Sequence, residues 1–430
     1  MTIHAIPRHR LPDSAVTRDS IALEAEVGAG NYASMPVVLS HGRGAWVRDV
    51  EGRAYLDMMS AYSAVSHGHH HPRLVAAMRR QLDAVAVVSR AYHSDRLGPF
   101  LAELCALSGL DAALPMNTGA EAVETAIKAV RRHAHDRRGI AEGAAEIIVA
   151  AGNFHGRTTT IVGFSSEPDY RRGFGPFAPG FVTVPFGDAA AVRAAIGPNT
   201  AAVMIEPIQG EAGIIVPPEG YLAALRRICD ETGVLLVLDE VQSGLGRTGR
   251  MFAYQHEGIT PDGLIVGKAL GGGLLPVSAF VATRAVMDVF DPGSHGSTFG
   301  GNPLAAAVGH EALRVLVEEG LVERSRELGA VLHDALAALR HPAIRAVRGR
   351  GLWVGVDLDP AIAPAREVCL AMLRMGVLTK ETHATVIRFA PPFVVTRDEI
   401  AHGVATFREA LASVAGRGPG QPGSSSIGSA

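Results

Sequence analysis

The stretch VLLVLDEVQSGLGRTGR, residues 234–250, joins an apolar run to a cluster of glycines. The run predicts a buried strand, and residues 244–249 form the pattern G-x-G-x-x-G, which occurs in dinucleotide-binding turns. In such a turn the first glycine follows the strand directly, a helix comes next, and an acidic residue ends the following strand. Here residues 239–243 intervene, the segment after the glycines is a poor helix, and the next apolar run leads to Lys268. We therefore interpret the glycines as a flexible turn.

An aspartate and a lysine follow two successive predicted strands. Asp239 leaves the carboxyl end of one strand and Lys268 that of the next, and ligands of open parallel sheets bind at this edge. Such a pair suits pyridoxal phosphate (PLP), whose ring nitrogen pairs with a carboxylate and whose aldehyde reacts with a lysine amine. Burial would favour the neutral, nucleophilic amine. An Asp–Lys salt bridge across the strand ends is the alternative, and the spacing alone does not decide between the two.

A candidate phosphate cradle lies earlier in the chain, in LPMNTGAEAVETAIKAVRRHA. Residues 117–119 predict a turn, and a helix is expected from about Ala120 with an apolar stripe on one face. The amides at the start of a helix point toward a bound anion. The alternative is that Asn117 or Thr118 only caps the helix.

The remaining pattern predicts an α/β protein. Short, continuous apolar runs alternate with helical patterns between about residues 100 and 290, which is typical of a mainly parallel sheet covered on both faces. The runs are Glu146 to Ala150, Phe181 to Pro185, Ala201 to Ile205, Val234 to Leu238 and Leu264 to Val266. Near the chain start, Trp46 to Asp49 and Ala54 to Met58 predict a hairpin, and Thr396 and Glu399 predict a capping box before the last helix.

Composition excludes several classes of function. The 430 residues carry a formal net charge of −3 and no run of Lys and Arg, so we expect no nucleic-acid partner. The 3 cysteines are far apart in sequence, which suits a reducing compartment. We also find no apolar signal core and no apolar run long enough to cross a bilayer. These features predict a cytoplasmic protein without a membrane partner.

At this point the sequence resembles the class-III aminotransferases, which are PLP-dependent transferases of fold type I. The resemblance runs from residues 31–32 to the last predicted helix. It rests on the motifs SAYSAV, LPMNTGAEA, FHGRT, FGPFAPGF, EPIQGEAG, LDEVQSGLGRTGR, GKALGGGLLPVSA, HGSTFGGNP and IRFAPP. It implies a large domain with a mainly parallel central sheet and a smaller α+β domain built from both chain ends. The expected divisions are an arm (1–35), a small domain (36–60 and 310–415), a large PLP-binding domain (61–309) and a disordered tail (416–430).

The resemblance also implies a set of cofactor contacts within one subunit. These are Gly119 and Ala120 at the phosphate, Phe154 on the ring, Asp239 at the ring nitrogen, Gln242 at the phenolic oxygen, and Lys268 as the catalytic lysine that bonds to PLP and moves the proton. Thr298 would reach the cofactor phosphate of a neighbouring subunit, so the resemblance implies a homodimer or a higher homo-oligomer.

The activity that the resemblance implies is transfer of the δ-amino group of L-ornithine to 2-oxoglutarate. The products would be glutamate and glutamate 5-semialdehyde, which cyclises to pyrroline-5-carboxylate. The implied substrate contacts are Tyr32 and Arg157 at the distal carboxylate of ornithine, Tyr62 as the residue that favours ornithine, Arg388 at the α-carboxylate of glutamate, and Glu211 as its cover. A structural ion pair is the alternative for Arg388, and both interpretations hold if Glu211 is the partner.

Three alternative functions remain at this stage. Another ω-amino donor, such as acetylornithine or 4-aminobutyrate, would fit the same family. A nicotinamide-dependent dehydrogenase would fit the glycine pattern alone, and a non-catalytic interaction protein could share the fold. The histidines of SHGHHHP, residues 66–72, suggest metal, but adjacent side chains diverge and no acidic or cysteine ligand is near in sequence, so we expect none.

Overall fold

The computed structural model describes residues 11–416. Its strands are β1 (Leu39–Arg43), β2 (Trp46–Asp49), β3 (Ala54–Asp57), β4 (Ala112–Met116), β5 (Glu146–Ala150), β6 (Phe181–Val184), β7 (Thr200–Ile205), β8 (Leu235–Asp239), β9 (Gly263–Val266), β10 (Ser278–Ala282), β11 (Ile344–Gly349), β12 (Val354–Leu358), β13 (Val377–Leu378), β14 (Lys380–Thr382) and β15 (Val386–Phe389). Residues 1–10 of the expected arm and residues 417–430 of the expected disordered tail lie outside the described residues.

Residues 11–416 also form helices. They are α1 (Ala15–Val27), α2 (Ser60–Ser63), α3 (Pro72–Leu82), α4 (Leu97–Ser108), α5 (Gly119–Arg138), α6 (Thr159–Gly163), α7 (Pro168–Arg171), α8 (Ala189–Ala195), α9 (Tyr221–Thr232), α10 (Arg284–Met287), α11 (Pro303–Glu318), α12 (Leu321–Ala337), α13 (Ala365–Arg374) and α14 (Arg397–Ala415), with 3-10 helices at Ala253–His256 and Lys268–Gly271. No helix between residues 11 and 416 combines the length and apolarity that a membrane crossing requires.

A seven-stranded sheet forms the centre, in the order β4-β10-β9-β8-β7-β5-β6. The strands from β9 to β6 along this order are parallel, and β10 is antiparallel to both of its neighbours. The five runs expected as parallel strands are all present, and the run at Glu146–Ala150 is confirmed residue for residue. Their carboxyl ends therefore meet at one edge of the sheet.

Both faces of this sheet are buried, which explains why its strands are continuously apolar. In β8, Leu236 and Leu238 belong to one hydrophobic cluster, whereas Leu235 and Val237 belong to another on the opposite face. Successive side chains of a strand point to opposite faces, so each face needs its own apolar set.

Two four-stranded sheets come from the chain ends. One has the order β1-β2-β3-β13 and includes the expected hairpin, with β2 and β3 antiparallel. The other has the order β11-β12-β15-β14 and is antiparallel throughout. The expected capping box of Thr396 and Glu399 begins α14. We propose that these sheets and their helices form the small domain and that the seven-stranded sheet forms the large one.

Candidate active site

A cavity of about 190 Å³ opens at the carboxyl edge of the seven-stranded sheet. The residues that line it are Gly119, Ala120, Phe154, His155, Gly156, Glu206, Ile208, Asp239, Val241, Gln242, Ser243 and Lys268. Four neighbouring strands deliver functional groups to it: Lys268 follows β9, Asp239 ends β8, Glu206 follows β7, and Phe154 and His155 follow β5. The strand order thus places residues distant in sequence in one row.

Lys268 lies in this cavity with a left-handed backbone, at φ 44°. Burial lowers the pKa of its amine, while the nearby carboxylates, including Asp239 and Glu206, oppose that change. A lowered pKa increases the fraction of neutral amine, which is the form able to act as a nucleophile or a base.

Asp239 forms a buried pair with His155, and the distance from Asp239 Oδ2 to His155 Nδ1 is 2.6 Å. Asp239 Oδ1 accepts the amide N–H of Val241 at 3.0 Å. Burial opposes protonation of His155, but its hydrogen bond with Asp239 and that carboxylate's charge raise its pKa overall. Asp239 is therefore paired with His155 and not with Lys268.

Glu206 is a second buried carboxyl group, and the sequence analysis missed it. Its Oε1 accepts the amide N–H of Phe154 at 2.8 Å and its Oε2 accepts that of Gly210 at 3.3 Å. Burial raises the pKa of this carboxyl to about 7. Glu206 joins the loop after β5 to the loop that carries Glu211. Glu206 could have been identified in the same way as Asp239, because it also lies at the carboxyl end of a predicted strand.

The start of α5 borders the cavity at Gly119 and Ala120. Thr118 caps the helix, because its hydroxyl accepts the amide N–H of Glu121 at 3.3 Å while the Glu121 carboxylate accepts that of Thr118. The first amides of a helix have no acceptor within the helix, so those of Gly119 and Ala120 can serve an anion. The capping and cradle interpretations are thus compatible. A Cβ at Gly119 would lie only 3.0 Å from Val241 Cγ1.

The Arg388 Nη1 atom donates to Glu211 Oε1 at 2.6 Å. The Arg388 side chain is only 4% exposed and that of Glu211 20%. The guanidinium carbon lies 4.6 Å from the centre of the Tyr62 ring, and burial raises the pKa of the Tyr62 hydroxyl while Arg388 opposes this. Gln242 Nε2 donates a long hydrogen bond of 3.4 Å to the carbonyl of Tyr62. The structure therefore brings together four of the expected site residues.

Arg157 lies near Phe154 but is held by a residue that the sequence analysis missed. Its guanidinium carbon is 3.6 Å from the centre of the Tyr170 ring and 5.4 Å from that of Phe154. Tyr32, its expected partner, is 78% exposed. Thr298 is exposed and lines no part of the cavity.

Three of the four histidines between residues 66 and 72 contact separate protein groups. His67 Nε2 lies 3.0 Å from the carbonyl of Ala312, and His69 Nε2 lies 2.7 Å from Asp57 Oδ2. His71 also has its own partner, a glutamate carboxylate at 3.2 Å. Among residues 11–416, no three potential ligands are placed to hold a metal ion.

The residues at the cavity fit PLP. Helix-start amides suit its phosphate, the Phe154 ring suits its flat face, and a buried carboxylate suits its ring nitrogen. His155 Nε2 is buried and has no hydrogen-bond partner within the described chain, so it can serve a further polar group.

Comparison with known proteins agrees with this geometry. The family described as Aminotransferase class-III matches residues 27–411. Ornithine aminotransferase 2 of Staphylococcus aureus (strain Mu50 / ATCC 700699) is 55% identical over 380 residues, covering 88% of this chain and 95% of that protein.

Two solved structures share the fold. The ornithine aminotransferase of Toxoplasma gondii, with partial occupancy of PLP at its active site, gives a TM-score of 0.91 at 41% identity, covering 93% of this chain and 94% of that chain. The acetylornithine aminotransferase of Elizabethkingia anophelis gives 0.85 at 46% identity, covering 92% and 99%. The central sheet, the cavity at its carboxyl edge and these similarities identify the chain as an aminotransferase of the class-III family, whose members are PLP enzymes of fold type I.

Proposed function

We propose that this enzyme transfers the δ-amino group of L-ornithine to 2-oxoglutarate, using PLP held in the cavity between Lys268 and Asp239. The products would be glutamate and glutamate 5-semialdehyde, which cyclises to pyrroline-5-carboxylate. The observation that carries the proposal is the 2.6 Å pair of Arg388 and Glu211 beside Tyr62. The relatives named as ornithine aminotransferases support the same donor.

The two substrates of this reaction place their carboxylates differently. Glutamate presents its α-amine to the cofactor, so its α-carboxylate lies close to the reacting atoms. Ornithine presents its δ-amine, so its carboxylate lies several bonds away. One site can serve both substrates if the arginine nearest the reacting atoms is neutralised while ornithine reacts and is open when glutamate binds. The Arg388–Glu211 pair has this property, because the Arg388 guanidinium can bind either the Glu211 carboxylate or the α-carboxylate of glutamate.

The cofactor, when bound, supplies an electron-withdrawing ring that stabilises negative charge at the carbon beside the transferred amine. Lys268 would bond to it and move the proton at that carbon, because burial lowers the pKa of its amine. Asp239, supported by His155, would hold the ring nitrogen. Phe154 would cover the ring, and Gln242 would contact the phenolic oxygen.

We infer that Arg157 and Tyr32 hold the distal carboxylate of ornithine. Stacking of Arg157 on Tyr170 fixes its guanidinium plane while leaving donors at its edge. Tyr32 is exposed enough to turn toward such a ligand.

We also propose a homodimer, or a higher homo-oligomer built from it. Thr298 is exposed and so is the neighbouring Phe299, at 55%. A hydroxyl and an aromatic ring at one surface point suit a contact with a second copy, in which Thr298 would reach the partner's cofactor phosphate. The cytoplasmic location also stays a prediction, supported by the free Cys105, Cys229 and Cys369.

The test is a substrate panel with the holoenzyme. Ornithine, acetylornithine and 4-aminobutyrate are compared as donors to 2-oxoglutarate by kcat/KM, with pyrroline-5-carboxylate detected for ornithine. We expect ornithine to be preferred. Preference for acetylornithine would replace the proposal with the second candidate, which the similarity to the Elizabethkingia anophelis enzyme favours.

A further inference from the structure

The segment that carries Tyr62 has a left-handed backbone over four consecutive residues. Ser60, Ala61, Tyr62 and Ser63 have φ values of 44°, 47°, 57° and 72°, and none of them is glycine. This conformation crowds the Cβ of an L-residue against the following carbonyl. A run of such residues persists only where the surroundings enforce it. The position of Tyr62 therefore depends on whatever holds this turn.

The turn is held at its start by short hydrogen bonds. Asp57 Oδ1 accepts the amide N–H of Met59 at 2.9 Å and that of Ser60 at 2.8 Å. The Ser60 hydroxyl donates to the carbonyl of Ala390 at 2.6 Å. At the other end, the Ser66 hydroxyl donates to the carbonyl of Ser63 at 2.8 Å.

A single buried guanidinium connects both ends of this turn. Arg247 is 0% exposed, and its Nη2 donates to Ser60 Oγ at 3.2 Å and to Ser66 Oγ at 2.6 Å. Its Nη1 donates to the carbonyls of Leu352 at 2.9 Å and Pro391 at 2.8 Å. Arg247 thus fastens the turn to two segments of the proposed small domain.

Arg247 belongs to the glycine pattern of residues 244–249, which the sequence analysis left without a function. Gly246 and Gly249 have φ values of 91° and 84°, and a Cβ at Gly249 would lie 2.9 Å from Arg326. The glycines allow a turn tight enough to bury the arginine. The guanidinium carbon also lies 4.5 Å from the centre of the Phe393 ring.

We propose that Arg247 is a positioning residue for substrate selection, which fixes the turn of residues 60–63 so that the Tyr62 ring lies against Arg388. The inference rests on the proposed function, because it takes Tyr62 as the residue that selects ornithine. Lysine cannot replace arginine here, since an ammonium group lacks the planar fork that reaches two hydroxyls and two carbonyls at once.

The chain offers a matched control in Arg324. Its Nε donates to the carbonyl of Phe393 at 2.8 Å and its Nη2 to that of Val395 at 2.6 Å. It therefore supports the same region of the small domain without a hydrogen bond to Ser60 or Ser66. Loss of general support in this region should change the substrate ratio in both Arg324→Lys and Arg247→Lys, whereas loss of the turn should change it only in Arg247→Lys.

The experiment compares the two holoenzyme variants by kcat/KM for ornithine and for 4-aminobutyrate. We expect the ornithine to 4-aminobutyrate ratio to fall about tenfold in Arg247→Lys, the scale of one net hydrogen bond, and to stay unchanged in Arg324→Lys. In a Tyr62→Ile background, Arg247→Lys should leave the ratio unchanged, because the residue it positions is gone. Ser66→Ala removes one acceptor of Arg247 and gives a milder variant if Arg247→Lys does not fold.

A second measurement does not depend on the substrate. Nitration of Tyr62 by tetranitromethane, followed by peptide mass spectrometry, should be faster in Arg247→Lys or Ser66→Ala than in wild type or Arg324→Lys. A wild type without preference for ornithine would contradict the proposed function, and nitration would then decide the positioning role. Unchanged nitration in both test variants, or an equal change of the substrate ratio in Arg324→Lys, would overturn the inference.

Discussion

Replacing Glu211 with alanine should change the two halves of the reaction in opposite directions. In the wild type, Glu211 Oε1 lies 2.6 Å from Arg388 Nη1, and we propose that this pair separates when the α-carboxylate of glutamate binds Arg388. In Glu211→Ala no pair has to separate. Ornithine, in contrast, would bring apolar methylene groups toward an uncovered guanidinium.

The size of the effect follows from the burial of the pair. Desolvated charge pairs couple by about 1.5–7 kcal/mol, whereas exposed pairs contribute about 0.2–1 kcal/mol. The Glu211 side chain is 20% exposed, so we take a value of about 2 kcal/mol near the low end of the first range. That energy corresponds to about a 30-fold increase of kcat/KM for glutamate. A buried guanidinium left unpaired costs about 2–5 kcal/mol, which sets the loss with ornithine.

The assay is single-turnover kinetics of each half-reaction, followed by the absorbance of the cofactor. Glu211→Gln keeps the shape and a hydrogen-bond acceptor but removes the charge, and should give an intermediate ratio. Glu381→Gln is the matched control, because Glu381 is comparably buried but pairs with Arg366 and Lys380. Equal slowing of both half-reactions in Glu211→Ala would show that Glu211 is structural and would refute the reasoning.

Three further substitutions test the proposed chemistry. Lys268→Ala should abolish turnover and remove the site at which borohydride attaches the cofactor; label on another lysine in wild type would contradict the assignment. Asp239→Asn should keep the fold but lower kcat at least about 100-fold, as loss of a preorganised group in a water-excluded site does, and near-wild-type turnover with cofactor bound would exclude this role. Tyr62→Ile should shift kcat/KM from ornithine toward 4-aminobutyrate, because it removes a half-buried hydroxyl that the ornithine α-amine could use. An unchanged ratio would remove Tyr62 from the specificity site.

The parallel strands and the Asp239–Lys268 edge were predictable because both depend on local patterns. A strand covered on both faces must be apolar throughout, and a polar residue directly after it must lie at the sheet edge. The antiparallel β10 was not predictable in this way. Its apolar run looks like those of its parallel neighbours, and its direction follows from the path of the chain through Lys268–Gly271.

Contacts between distant segments could not be predicted from the sequence either. In the sequence, His155 is only the neighbour of Phe154. Its contact with Asp239 arises from the order of β5, β7 and β8 in the sheet. The hydrogen bonds of Arg247 reach residues 105 and 144 positions away, at Leu352 and Pro391. No local periodicity specifies such partners, since they are set by the packing of the two proposed domains.

The segment from residue 239 to residue 247 links the central sheet to the turn that carries Tyr62. Asp239 ends a central strand, Gln242 donates to the carbonyl of Tyr62, and Arg247 donates to both ends of the turn that carries Tyr62. The same short segment therefore reaches the proposed cofactor contacts and the proposed specificity residue. Because Asp239 is fixed by its strand, the tight glycine turn after Gln242 determines where Arg247 lies, and through it where Tyr62 meets Arg388. The glycine pattern in this chain is thus best explained as the element that ties substrate selection to the central sheet.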